Sequence, residues 1–418
     1  MPPEPVDLLI EARWVLPMAP ANTVLSDHAV AVEGGKILGL GPVAEMRQRF
    51  DARDRVVRRE HALMPGFVNA HTRAARTLLR GLPVRGPRAR WLRNTVLPIE
   101  QRCMNADFVR EGTQLAVAEM LRAGITSFAD MNLFPEEAAR VASAARMRAA
   151  IGLPVSDAPN VWADSATAHF ERAEHLWDDY RSHRWVCLYF APQEAEVSDD
   201  TLIRLRRVAD ELDARVAMEA PPLRRLHALG LLRPGFAGIA HSAWSADDAE
   251  LVATTGIAVI RCLQGDLRLG AGGGTGDAAS QVAPVVVGLG SGDPVSAGAL
   301  DMLAEARIAA LLSGGAVSAS DALRMATLGG ATALGFAADT GSIEPGKYAD
   351  LICVDLNRLA CQPASSVTDC ILFGATREQV SDVWTSGRLA VSKGQLLGFD
   401  EHELQESVLK WEKLRSGT

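Results

Sequence analysis

Short apolar runs open the chain. Asp7–Ile10, Ala29–Val32 and Ile37–Leu40 are continuous or alternating, and Glu33-Gly34-Gly35-Lys36 supplies a hairpin turn between the last two. From about Leu63 the texture changes to apolar runs separated by longer helical patterns. The runs are Leu63–Asn69, Gly124–Ala129, Trp185–Phe190, Val216–Ala220, Gly238–Ala240, Ile257–Ile260 and Val285–Leu289. Phe108–Arg122, Ser198–Leu212 and Ala246–Thr254 are among the helical stretches between them. Strands alternating with helices pair in parallel, and about seven or eight such units predict a closed barrel. Strands return at the end, where Asp350–Val354 follows Glu344-Pro345-Gly346-Lys347 and Val380–Thr385 with Arg388–Val391 reads as a hairpin. The expected fold is α/β. A (β/α)8 TIM barrel spans 61–342, and a small β-sandwich domain is built from both termini, 1–60 and 343–418.

Composition narrows the function classes. The chain has 418 residues, 48% hydrophobic and 22% charged, enough for one large core with a smaller domain attached. A net charge of −8 argues against a nucleic-acid partner, which calls for a basic stripe. The one basic cluster, Arg76 to Arg93, reads either as a solvated loop or as a lid that meets an anionic ligand. Six scattered cysteines without a Cys-x-x-Cys pair give neither a disulfide framework nor a zinc knuckle, so the expected compartment is the cytoplasm. The first residues carry early acids and no long apolar run, unlike a signal peptide. Nothing approaches the ~20 apolar residues of a membrane span. Gly270–Thr275 (GAGGGT) lacks the Lys-Ser/Thr of a phosphate loop and is expected to be an ordinary loop.

PGFVNAHTRAARTLLRG (Pro65–Gly81) closely resembles the first-strand signature of the amidohydrolase superfamily, and more narrowly its methylthioadenosine/S-adenosylhomocysteine deaminase group, related to the triazine hydrolases. EGTQLAVAEMLRAGITSFADM (Glu111–Met131), VSDDTLIRLRRVADELDA (Val197–Ala214) and RLHALGLL (Arg225–Leu232) are similar to later barrel elements. ALRMATLGGATALG (Ala322–Gly335) and TGSIEPGKYADLICVD (Thr340–Asp355) are similar to the closing helix and the return strand. The resemblance covers nearly the whole chain.

The resemblance implies one divalent metal, zinc or iron, at the C-terminal mouth of the barrel. Its ligands would be a His-x-His pair on strand one, a His on strand five and an Asp on strand eight. A Glu near strand five would move protons, and a strand-six His would orient the water. The metal brings the pKa of bound water toward ~7, and a carboxylate carries the proton to the leaving amine. Against that pattern His71 stands at the first position, and Arg73 at the second, where a guanidinium has no lone pair to donate. Strand five reads ARVAMEA (Ala214–Ala220): Glu219 replaces the lost histidine, or it is the proton shuttle and Val216 the lost histidine. His241 in GIAHS matches the water-orienting histidine, with an ordinary buried histidine as the plain alternative. Gly292 falls at the strand-eight ligand position, and Asp293, one step on, reads as a helix-cap acid or a displaced ligand. Gln193 in APQEAE (Ala191–Glu196) and Arg261-Cys262-Leu263-Gln264-Gly265-Asp266 stand where other pocket residues differ from the family pattern.

The metal is therefore expected to be lost, with no cofactor in its place. The leading reading is a pseudoenzyme that keeps a pocket for a purine-nucleoside-like or other small molecule, or an assembly role. That role would be as a homo-oligomer (dimer or tetramer) or beside an active paralogue. A metal-independent enzyme using the Arg73, Glu219, His241 and Asp293 cluster is one alternative. The other is an active C–N hydrolase with a shifted site of His71, Glu219, His241 and Asp293. In the metal-independent enzyme His71 or His241 would be the general base, and Glu219 and His241 are the catalytic candidates of the site as a whole.

Overall fold

A computed structural model describes residues 3–193, 197–242, 244–271 and 285–416. Twelve strands come first in chain order. β1 (Glu4–Val15), β2 (Leu25–Glu33), β3 (Lys36–Pro42) and β4 (Phe50–Pro65) precede the eight strands of the barrel. Those are β5 (Phe67–Thr72), β6 (Ile125–Asp130), β7 (Arg148–Val155), β8 (Val186–Pro192), β9 (Arg215–Glu219), β10 (Phe236–Ala240), β11 (Ala258–Arg261) and β12 (Val287–Leu289). They pair in parallel and in chain order. Their Val, Ile, Ala and Leu side chains are buried on both faces, as a sheet covered by helices requires.

Closure between the last strand and the first occurs at the mouth. Gly292 N–H donates to the His71 carbonyl at 2.9 Å, and Arg73 N–H donates to the Gly292 carbonyl at 3.2 Å. The approach demands glycine at two places. A Cβ at Gly290 would lie 2.6 Å from His71 N, and Gly292 has φ +64° with Cys262 Cβ 2.9 Å from any added Cβ.

β13 (Leu351–Asp355), β14 (Val380–Thr385), β15 (Arg388–Ser392) and β16 (Gln395–Leu396) join the first four strands in one mixed sheet, ordered β16-β15-β14-β13-β4-β1-β2-β3. Strand alternation sends Leu8 and Ile10 to one face with Val30, Val32 and Leu351. Leu9 goes to the other face with Ala29, Ala31 and Phe50. Each such burial is worth roughly 1.5–3 kcal/mol. β4 runs into β5 through Gly66, whose N–H donates to the Asp350 carbonyl at 2.9 Å. The second sheet is thereby tied directly to the strand that carries His71.

β7 and a C-terminal helix are among the elements outside the sequence expectation. β7, the third barrel strand, begins with buried Arg148, which pairs with Asp350 at 3.3 Å and lies over the Tyr348 ring. A C-terminal helix, Glu401–Ser416, packs on the barrel helix Ala106–Arg122. Trp411 meets Phe108 edge-on at 5.2 Å and donates its indole N–H to Glu111. No described helix is long and apolar enough to cross a membrane.

Candidate functional site

The C-terminal ends of β5, β9 and β10 bring His71, Glu219 and His241 to one end of the barrel, because parallel strands all finish on the same rim. Glu219 ends β9 and is the hub. Its Oε1 receives a hydrogen bond from His71 Nε2 at 2.7 Å. Arg73 reaches the same carboxylate through Nη2 at 3.1 Å and donates Nη1 to the Met131 carbonyl at 2.9 Å. Arg88, from the segment after the first barrel strand, is a third side chain on this carboxylate and donates Nη2 to Glu219 Oε2 at 3.2 Å.

Electrostatics follow from these contacts. Burial opposes the charge on Glu219, but Arg73, Arg88 and His71 outweigh it and hold its pKa well below the usual carboxylate range. Burial also dominates at His71, lowering its pKa despite the Glu219 partner. The imidazole is therefore neutral at pH 7, and its Nε2 carries the proton given to Glu219.

Asp293 is drawn elsewhere. It caps a short helix by accepting from Val295 N–H at 2.9 Å, and its other oxygen takes Arg76 Nη1 at 2.6 Å. Arg76 in turn forms a two-pronged pair with Glu100, both bonds at 2.8 Å. All three are buried, so Asp293 belongs to this triad rather than to the Arg73–Glu219 contact. Gly292 contributes backbone only, in the closing bridge.

His241 lies beyond the end of β10. Asp266 Oδ1 accepts from its Nδ1 at 2.9 Å, while its buried Nε2 has no hydrogen-bond partner among the described residues. Glu305, on the helix Met302–Leu312, accepts from the Leu263 and Gln264 N–H groups and so fixes the start of the short helix Leu263–Arg268 that carries Asp266. Gln193 is bound through its N–H to the Val155 carbonyl at 3.0 Å. Residues 194–196 of the APQEAE motif and 272–275 of GAGGGT lie outside the described residues.

Asp130, at the end of β6, supports the rim from below. Its Oδ1 accepts from Ala74 N–H and Asn132 Nδ2, both at 2.7 Å. Burial outweighs these donors and pushes its pKa up to about 6, from an ordinary 3.8. Between about pH 4 and 6 the folded chain thus holds a proton that the unfolded chain has lost, so stability falls as pH rises through that window. D130N removes the charge while keeping the Oδ1 acceptor. Its advantage over the wild type in urea unfolding should be near zero at pH 4 and grow to about 3 kcal/mol above pH 6.

Sequence reading missed Arg88 and the Arg76–Glu100–Asp293 triad. Arg88 was visible only as one arginine of a basic run, and Glu100 in LPIEQR carries no local signal. Among the described residues, no group of three or more His, Cys, Asp or Glu side chains is placed to hold a metal ion.

Known proteins resemble this chain along its full length. The amidohydrolase family profile matches residues 62–228 and 219–390. The 5-methylthioadenosine/S-adenosylhomocysteine deaminase of Teredinibacter turnerae is 34% identical, with 98% of each chain covered. The enzyme of the same name from Saccharophagus degradans is 31% identical, over 98% of this chain and 96% of that one. Among solved structures, an adenosine deaminase from Xanthomonas campestris with bound zinc is 37% identical over all of both chains, with TM-score 0.97. Atrazine chlorohydrolase from Arthrobacter aurescens shares the fold at 20% identity and TM-score 0.87, over 97% of this chain and 99% of that one.

Proposed function

The chain belongs to the amidohydrolase family, and from that premise we propose that it is a deaminase-like barrel that binds a nucleoside-like small molecule without metal-dependent hydrolysis. One observation carries this reading. The Arg73 guanidinium lies between Glu219 and the Met131 carbonyl, beside His71. The donor set does not fit a divalent ion. A fixed positive charge occupies the neighbourhood of His71, and Gly292 offers no side chain. On this reading Glu219 stands where the strand-five histidine would be, and Arg73 supplies the charge that an ion would bring. The nucleoside-like ligand rests on the names of the relatives, methylthioadenosine, S-adenosylhomocysteine and adenosine deaminases. A cytoplasmic homo-oligomer is part of the same proposal, to be checked by light scattering.

Elemental analysis of protein purified without chelator tests the reading. The expected result is less than about 0.1 equivalent of zinc or iron, and no ammonia release from methylthioadenosine or adenosine with added zinc. A full equivalent of metal with turnover would overturn it.

A second reading is favoured by the Asp266–His241 pair, in which the buried histidine Nε2 has no partner among the described residues. In that reading His241 is the general base of a metal-independent enzyme. Turnover that survives chelation and is lost in H241A would select it.

A further inference from the structure

The basic segment after the first barrel strand divides its arginines among different tasks. Arg76 turns inward to Glu100 and Asp293, and Arg80 pairs with Glu119 at 2.6 Å. Arg88 arches back over the barrel mouth and meets Glu219. We propose that the mouth is an oxyanion site, in which a carboxylate or phosphate on the ligand takes the place of Glu219 on Arg88 and shares Arg73. The proposal rests on the preceding reading that a nucleoside-like molecule enters this mouth.

Three observations meet here. First, two guanidinium groups converge on one carboxylate oxygen, Glu219 Oε2, at 3.1 and 3.2 Å. If Arg88 leaves, Glu219 keeps His71 at 2.7 Å and Arg73, so its charge stays compensated. Arg88 is therefore the exchangeable member. A guanidinium has five N–H donors in a planar fork matched to carboxylate and phosphate, and Arg88 gives one of them to Glu219.

Second, Arg88 is within reach of solvent. Its side chain is 15% exposed, and Pro87, Ala89 and Arg90 around it are exposed. The neighbouring Trp91 is buried and donates its indole N–H to the Pro83 carbonyl, which anchors the base of the segment. The arginine can then turn outward without the segment losing its hold.

Third, the rim holds a buried polar atom, His241 Nε2, that has no hydrogen-bond partner among the described residues. Asp266 fixes the opposite nitrogen at 2.9 Å, which presents Nε2 to a ligand as an acceptor when the ring is neutral. The ligand that satisfies the mouth carries an oxyanion for Arg88 and Arg73 and a polar N–H or O–H for His241. A nucleoside bearing an acidic 5′ substituent has both.

Calorimetric titration of the full chain with adenosine, adenosine 5′-monophosphate and adenosine-5′-carboxylic acid compares one nucleoside with phosphate, carboxylate or neither. The expected result is at least about tenfold tighter binding of one or both acids than of adenosine, the tighter acid identifying the oxyanion. R88Q should cut that advantage to less than about twofold. Equal binding of all three, or an R88Q variant that weakens adenosine as much as the acids, would overturn the proposal. If no nucleoside binds, the nucleoside reading fails by itself, and inorganic phosphate decides the oxyanion site. Thermal stabilisation by phosphate in the wild type that disappears in R88Q upholds it, and no stabilisation rejects it. Unchanged circular dichroism of R88Q separates either outcome from misfolding.

Discussion

Arg76→Met is expected to lower the unfolding free energy by about 3–5 kcal/mol, measured by urea denaturation. The side chain is buried between Glu100 and Asp293, at 2.8 and 2.6 Å. Burial works against its charge, but the two carboxylates outweigh that and raise its pKa further. Removing the cation strands two buried anions, which is the costly way to break such a pair. The decisive control is the R76M/E100Q/D293N variant, in which no charge is left unpaired. It should recover a large part of the loss. A triple variant as unstable as R76M would mean that the packing of the arginine stem, not its charge, is what matters. The triad also explains why Asp293 does not face Glu219. It is held from one side by Arg76 and from the other by the Val295 N–H.

The second large effect concerns metal. On the proposed reading, R73H should convert a chain expected to keep no zinc through dialysis into one that keeps about one equivalent. The substitution removes the guanidinium and places an imidazole two residues from His71, next to Glu219, whose Oε1 is already 2.7 Å from His71 Nε2. Two imidazoles and a carboxylate are a sufficient protein set for zinc with an open fourth position. Zinc at 100 times its dissociation constant would then stabilise the fold by about 2.7 kcal/mol. The wild type should show no shift under the same conditions. An R73H protein without zinc, or a wild type already holding it, would refute the account of Arg73 as the resident cation.

The fold was legible where periodicity is simple. Seven of the barrel strands announce themselves as apolar runs, because strands buried on both faces need no alternation. β7 escaped, since its first residue is an arginine buried only by virtue of Asp350 and Tyr348, which lie about two hundred residues away. β4 was hidden by its charges. Arg55 and Arg58 point to Glu11 and Asp382, partners visible only once the strands are side by side. The C-terminal helix was missed for a similar reason, its one deep anchor being Trp411 among exposed polar residues. At the site, residue types could be read from the motif spacing, but partners could not. Nothing local in the sequence says that Glu219 gathers Arg73, Arg88 and His71, or that Asp293 is taken by Arg76. Those contacts join segments separated by more than a hundred residues, and the folded barrel alone sets them.

The glycine bridge that closes the barrel limits the substitutions that the mouth can accept. At Gly292 the backbone sits at φ +64° with Cys262 Cβ 2.9 Å from any added Cβ. An aspartate there would need the loop to be rebuilt and the cysteine to withdraw, not merely a codon to change. A side chain at position 292 would therefore strain the seam between the last strand and the first. The seam closes that position to a side-chain ligand by steric means, whatever residue stands at position 73.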